Sequence, residues 1–557
     1  IEVQREGLAQ LNIAIAHDVA HMKARFDDIL ADIGRLHGTQ APDTLLAAGD
    51  MCAPDAVAAM QMMQGLWMAS YYAGQQDLSA LMVVSMTRLS MQRGNSDFSA
   101  VAYVGYALIL ALYDGDVARG YDFGAMAMAL ARRRANLQTR TLTGLMFGAL
   151  ISHWTQPLRS SDALYEEAFG WALEIADFVQ VGVVAAVRAT ERMILGDYLP
   201  HLMHDIEHDL ALMRANGQQA MADCCVAAAV QPIKCLMGRL PRHDSYDDAT
   251  FSEARFLEQY GDSQLYRAYY LQGKIRNAYL FDGADAELLA GQLGIVTQIM
   301  RGQAKVAESS FYAALIWLRA LRRDPARPDA GAVLSVIDAL QASLTEWARQ
   351  GSDNSAAKHL LVMAEMARYR DDLQLATRHY RQAIDAAGLA GYVNVQALGN
   401  ELCGEYWSEQ GQARVAGVFI QDAIAHYGQW GAEGKVTQLR ARHAALLSRM
   451  DGRATLSHVG PDTHGSSTLD LVSLLKAAQI LSNEVGLRNV LTRLISIVCE
   501  NAGAQVARLL LLSEGSYQLE ANIDGDGVTV LQARRLDLNA ASDPQFPLSL
   551  LRYVIRT

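Results

Sequence analysis

Proline is scarce in this 557-residue chain, with 11 residues, and cysteine is scarcer, with six. Few prolines leave long stretches free to run as helix, because an interior proline removes a hydrogen bond and kinks or ends the helix. The cysteines are Cys52, Cys224, Cys225, Cys235, Cys403 and Cys499, and no two form a C-x-x-C pair. Their apolar, helix-like surroundings point to reduced core thiols and exclude a disulfide frame or a zinc knuckle. No uninterrupted apolar run reaches the ~18 residues a membrane span needs. No basic face is legible either: the formal charge is −12, which argues against a nucleic-acid partner. The short runs Arg132-Arg133-Arg134 and Arg322-Arg323 fall at expected helix ends, where cations complement the helix dipole. No signal peptide is legible at the start, and the first residue is Ile1 rather than Met. The natural N-terminus is therefore expected upstream, and the compartment is expected to be cytoplasmic.

What is present favours helix. The chain is 51% hydrophobic and 19% charged, a folded composition, and too long for a single hydrophobic core. From Ile1 to about Met450, apolar residues recur at three- and four-residue spacing, broken by short Gly, Asn, Asp or Pro signals. Ser96 or Asp97 is placed to cap a helix carrying Val101, Val104, Ala107, Leu108 and Leu112; Asp114-Gly115-Asp116 ends it, and a second helix continues through Phe123, Ala127 and Leu130.

Repetition is visible at an offset of 40: Ala376, Tyr380 and Ala383 match Ala416, Ile420 and Ala423. In each trio the small residues admit a partner helix and the large one fills the groove between. The pattern resembles the second helix of a tetratricopeptide repeat, although that repeat is usually about 34 residues long. The resemblance implies an irregular helical-hairpin solenoid over residues 1–450, with an open concave surface. Breaks are expected at Pro241–Ser252 and Arg322–Asp329.

Asp451 to Thr468 is polar and aperiodic, a linker. After it, amphipathic helices are predicted over Leu469–Asn483 and Leu487–Glu500. A strand follows at Val506–Leu512. Tyr517, Leu519, Ala521 and Ile523 alternate with polar residues as a second strand, and Val528–Leu538 supplies a third. Another helix is expected after Pro547.

Motifs of chemistry fail on inspection. Gly273-Lys274 and Gly434-Lys435 lack the other residues of a P-loop. Asp122-Phe123-Gly124 falls inside a helix without the remaining kinase signatures. His201, His204 and His208 share one side of a helix with Asp205 and Glu207 nearby, a spacing able to hold a metal; the opposite side carries Leu199, Leu202, Ile206, Leu210 and Met213, so a solvated polar face is the plainer reading. Asp524-Gly525-Asp526-Gly527 begins like a calcium loop, but its twelfth position is Arg535, so a β-turn is expected. Met60, Met62, Met63, Met68 and Trp67 read as packing between helices. Glu166-Glu167 and Asp247-Asp248 read as solvated surface charge. No catalytic, cofactor-binding or metal-binding residue is assigned, and no cofactor.

A family resemblance enters at the end of the chain. Leu469-Asp470-Leu471, Leu474-Leu475-Lys476-Ala477-Ala478-Gln479, Leu481-Ser482, Glu484, Leu487 and Leu491-Thr492-Arg493-Leu494 carry it. Glu500-Asn501-Ala502-Gly503-Ala504, Arg508-Leu509-Leu510-Leu511-Leu512, Pro547-Leu548-Ser549 and Tyr553-Val554 complete it. Together they resemble the opening half of a GAF domain (residues 469–557) in large hybrid signalling kinases. Such proteins join a Ser/Thr-kinase-like domain, an AAA-type ATPase, a helical region, a GAF domain and a sensor histidine kinase. His153-Trp154-x-x-Pro157-Leu158, Gly196-Asp197-Tyr198-Leu199 and Gln231 to Leu236-x-Gly238 resemble short signatures of the same helical region. The resemblance implies a mainly α chain ending in a truncated α/β domain. It also implies a non-catalytic fragment linking an upstream ATPase or kinase to a GAF sensor and a downstream histidine kinase, the kinase activity lying in the full-length parent. Protein partners or other domains of the same chain are expected, with dimerisation through the helix starting at Leu469. The alternative is an interaction scaffold binding a partner peptide in the solenoid groove.

Overall fold

The computed structural model describes residues 1–448, apart from positions 12, 16, 39, 351 and 352, and three strands at 506–513, 516–524 and 527–535. The linker, the two helices expected after it and the helix expected after Pro547 lie outside the described residues. The chain divides into two compact units, Ile1–Met450 and Asp451–Thr557. It is mainly α-helical.

In the first unit, the break signals do local work. Asp116, Asn136, Asp177 and Asp372 each accept the backbone N–H three residues on, starting the helices Val117–Arg134, Leu137–Leu150, Phe178–Leu195 and Leu373–Ala390. Each bond satisfies an N–H that has no partner within its own helix. Gly196, Gly391 and Gly431 end helices in the left-handed region, at φ 79°, 77° and 84°, where a Cβ would be strained. Ser96 acts differently from a helix cap. It accepts the N–H of Phe98 at 3.3 Å, and the following helix, Ser99–Tyr113, has no side-chain cap. The Ser99 hydroxyl is engaged instead with Ser90, at 2.8 Å. The expected breaks fall between helices: Leu236 to Glu253, and Arg323 to Ala330.

The matched trios lie on helices Leu373–Ala390 and Ala413–Trp430, and all six residues are fully buried. Each helix packs on a preceding partner, Ala356–Tyr369 or Val393–Glu409. Glycine on the partner makes room for the large residue: a Cβ at Gly404 would sit 2.8 Å from Ile420 Cδ1 and 3.1 Å from the Ala416 carbonyl. Replacing Gly404 with Leu should therefore destabilise the protein by about 1–3 kcal/mol through overpacking. Gly428→Ala, where a Cβ meets nothing within 4 Å, should stabilise by roughly 0.5–1 kcal/mol. Urea midpoints of the two variants check the contrast.

Pro232 leaves its own mark. Proline has no N–H to bond four residues back, and the helix widens into a π turn over Val226–Val230 just before it. The Pro232 carbonyl accepts from Asn277 Nδ2 at 3.0 Å.

The array is not an open row of hairpins throughout. The helix Ala304–Arg323 is buried on every face over most of its length, with Phe311, Ala313, Ala314, Leu315, Leu318 and Leu321 at or near zero exposure. It packs against the helices Phe178–Leu195, Gln264–Leu280, Ala330–Arg349 and Ala356–Tyr369. A stack of hairpins alone leaves a concave side open; here that helix packs against elements distant in the sequence.

In the second unit, β1 (Val506–Ser513), β2 (Ser516–Asp524) and β3 (Gly527–Arg535) form an antiparallel sheet in the order β1-β2-β3. Pairing runs from Ser513–Ser516 to Val506–Asp524, and from Asp524–Gly527 to Gln518–Arg535, with register shifts at Leu509/Leu510 and Leu519/Ala521. Asp524 and Gly527 close a two-residue hairpin.

Candidate functional site

A cleft of about 740 Å³ in the helical unit is lined by ionisable side chains: Arg159, Arg188 and Arg192, six carboxylates, and His204 and His208. It lies over helices Asp162–Glu174, Phe178–Leu195 and Leu199–Ala215. All three guanidinium groups are engaged. Arg159 and Arg192 share Asp197, at 2.6 and 2.7 Å; Arg192 also holds Asp205, at 2.7 Å; Arg188 holds Asp209, at 2.8 Å. Arg188 further lies over the Phe169 ring. Burial raises the Asp162 carboxyl above its usual range, against the opposing pull of Arg159. The carboxylates outnumber the arginines, so the cleft attracts cations weakly; the fixed pairs make it a cross-braced surface.

The metal spacing of the sequence lies on the last of these helices, Leu199–Ala215. Leu199, Leu202, Ile206, Leu210 and Met213 are buried, while His201, His204 and His208 face outward. Among the described residues no three His, Cys, Asp or Glu side chains are gathered to hold a metal ion. His201 packs edge-on against Tyr198, with centroids 5.0 Å apart.

Several charge-bearing groups elsewhere are buried inside the fold, where unpaired charge is costly. Three glutamates on packed helices each accept from a tyrosine: Tyr165 to Glu191 at 2.7 Å, Tyr427 to Glu401 at 2.7 Å, and Tyr380 to Glu365. Each glutamate also meets a cation. Lys435 lies 2.7 Å from Glu401, Lys305 lies 3.5 Å from Glu191, and Arg368 and Arg322 flank Glu365. Lys358 and Glu308 form a fourth buried pair at 2.9 Å. Burial pushes Glu191 up and Lys305 down, each only partly offset by the other. At Glu365 burial also pushes the carboxyl up, but Arg322 and Arg368 outweigh it and hold the group at about 2.

The rejected motifs acquire structural roles. Lys274 and Lys435, each following a glycine, are both buried cations; Lys274 pairs with Glu253 at 2.8 Å. Phe123 of Asp122-Phe123-Gly124 is fully buried in Val117–Arg134. Met60, Met63 and Trp67 are core residues of Pro54–Tyr72. Glu167 pairs with Arg132 at 2.7 Å. Asp248 departs from the surface reading. It is partly buried, holds Lys234 at 2.7 Å, and accepts from the N–H groups of Thr250 and Phe251. These contacts tie down a segment that lacks helix; they hold the carboxyl well below the ordinary range despite partial burial.

The four buried thiols are held protonated. Burial pushes Cys225, Cys235 and Cys403 up to about 12, and Cys224 also rises; a protonated thiol is neither a good nucleophile nor a metal ligand. Cys52 is exposed, and Cys499 lies outside the described residues. Among the described residues, no helix is long and apolar enough to cross a membrane.

No family model matches the chain, and no curated protein matches it.

Proposed function

We propose that this chain is a non-catalytic regulatory region of a multidomain signal-transduction kinase, linking an upstream ATPase or kinase to a GAF sensor and a downstream histidine kinase. In this reading the helical unit is a tetratricopeptide-like solenoid, and residues 469–557 are the first half of the GAF domain. The observation that carries the reading is the fate of the ionisable groups. Glu191, Glu365, Glu401, Lys305 and Lys435 are sealed into pairs within the fold, where they position helices and reach no substrate. The antiparallel strand order β1-β2-β3 supports a small separate sensory unit after the array.

A scaffold role is the second reading. The charged cleft between Asp162–Glu174 and Leu199–Ala215 favours it, since a polar partner can exchange ion pairs there.

The test is deletion of residues 1–450 from the full-length parent. The regulatory reading expects autophosphorylation or ATP hydrolysis to change several-fold. Unchanged output together with lost partner binding would favour the scaffold. Turnover of ATP by the purified 557-residue chain would refute both.

A further inference from the structure

Three contacts join parts of the helical unit that lie about 200 residues apart. Asn354 Nδ2 donates to the carbonyls of His153 and Gln156, at 2.7 and 3.0 Å, while its Oδ1 accepts the N–H of Leu158 at 2.9 Å. Asn394 Nδ2 donates to the carbonyls of Met193 and Ile194, at 3.2 and 3.1 Å. Gly434 meets Gly238 so closely that a Cβ on Gly434 would lie 2.7 Å from the Gly238 nitrogen and 2.9 Å from the Cys235 carbonyl.

The spacing is regular. Positions 354, 394 and 434 recur at the 40-residue offset already seen in the matched trios. The opposing loops near 153, 194 and 238 follow a similar step. These loops are the three short signatures singled out in the sequence, and all three face this one seam. Segments about 200 residues apart are therefore brought together three times, at intervals of about 40 residues.

The seam adds polar contacts to an apolar core that is continuous across it. Hairpins bury alanine, tyrosine and isoleucine against one another. Across the seam, Asn394 supplies donors to carbonyls at the C-terminal end of Phe178–Leu195; beside it, Lys435 Nζ donates to the last carbonyl of Gln264–Leu280, that of Leu280, at 2.5 Å. Such terminal carbonyls have no partner within their own helix, and water can replace a side-chain donor there. The Lys435–Glu401 pair beside the seam regains hydration when the seam parts. Because the curvature of a repeat array is the sum of small rotations between repeats, a slight change at each step separates one turn from the next.

We propose that this seam is a latch: residues 354–442 detach from the turn at 153–238 while every hairpin stays folded, so that the array switches between a closed and an extended coil. The proposal goes beyond the regulatory reading and holds for a scaffold equally.

Hydrogen exchange on the intact 557-residue chain tests it. Peptides spanning 153–158, 193–197, 235–240, 391–396 and 432–438 should exchange together and faster than the interiors of Leu373–Ala390 and Ala413–Trp430. Asn394→Ala, which removes two bonds, should speed seam exchange about tenfold and leave the hairpin interiors unchanged. Gly434→Leu wedges the seam and should enlarge the radius of gyration by small-angle scattering at constant far-UV circular dichroism. Seam and hairpin amides exchanging at one common rate, with Asn394→Ala accelerating both equally, would overturn the latch. So would an unchanged radius in a folded Gly434→Leu variant.

Discussion

Replacing Lys435 with Met should destabilise the helical unit by about 3–5 kcal/mol, the range for removing one partner of a buried ion pair. The loss comes from what is left behind. Glu401 is 2% exposed and Lys435 1%, so the surviving carboxylate has no water to turn to. Tyr427 continues to donate to it at 2.7 Å, but one neutral donor does not replace a cation. Arg442 stands 3.9 Å away, partly in solvent, beyond hydrogen-bonding reach. The same substitution uncaps the Leu280 carbonyl, which Lys435 holds at 2.5 Å. The double variant Lys435→Met/Glu401→Leu should lose much less than Lys435→Met alone, because both desolvated charges then disappear. Chemical denaturation of the wild type, both single variants and the double variant gives the coupling directly. Additive losses would mean that the two groups do not act as a pair.

That pair also shows where sequence reading stops. Nothing in Gly434-Lys435 distinguishes a buried lysine from a solvated one, since its partner Glu401 is 34 residues away and its carbonyl partner 155. The local grammar was legible. Asp116 and Asp372 start helices because they follow a break and precede an apolar period, and the trios at 376–383 and 416–423 are buried because their spacing puts three side chains on one face. The same holds for the strands: β1 and β2 lie within a residue or two of where the apolar run and the alternation put them.

Ser96 and Asp248 mark the limit of local reasoning. Each has the composition of a turn or surface residue, and each is diverted by a neighbour, Ser99 for the first and Lys234 for the second. The closing of the array on itself was hidden for another reason. A 40-residue repeat predicts which helices are adjacent, but the number of repeats per turn depends on small angles between them. One signal was available: Asn354, Asn394 and Gly434 recur at the repeat offset, and two of them are side chains suited to bonding backbone.

Acidification from pH 6.5 to 4.5 should remove about 2 kcal/mol of stability through His153 alone, the slope approaching ~1.4 kcal/mol per pH unit once the unfolded imidazole is fully protonated. His153 is 4% exposed. Burial lowers its pKa, the nearby Lys305 charge lowers it further, and together they bring it to about 3. The folded chain thus keeps the imidazole neutral, while the unfolded chain protonates it near 6.5. The sign follows: the depressed folded value leaves the contribution fully present above pH 6.5, and it drains away as pH falls toward 3. Glu365, held at about 2, adds a loss of the same sign only below its unfolded value near 4.5, so the two windows separate. Glu191, raised by burial, works in the opposite direction. His37, His243, His359, His379 and His443 are also lowered, so the raw slope of the wild type belongs to several groups. The difference from His153→Gln isolates one. That variant keeps a polar side chain and leaves the His153 carbonyl, the acceptor for Asn354, in place. Urea unfolding at intervals of half a pH unit should show a shallower fall for His153→Gln than for the wild type between 6.5 and 4.5. Parallel curves would show that His153 is protonated as readily in the fold as outside it, which its burial beside Lys305 forbids.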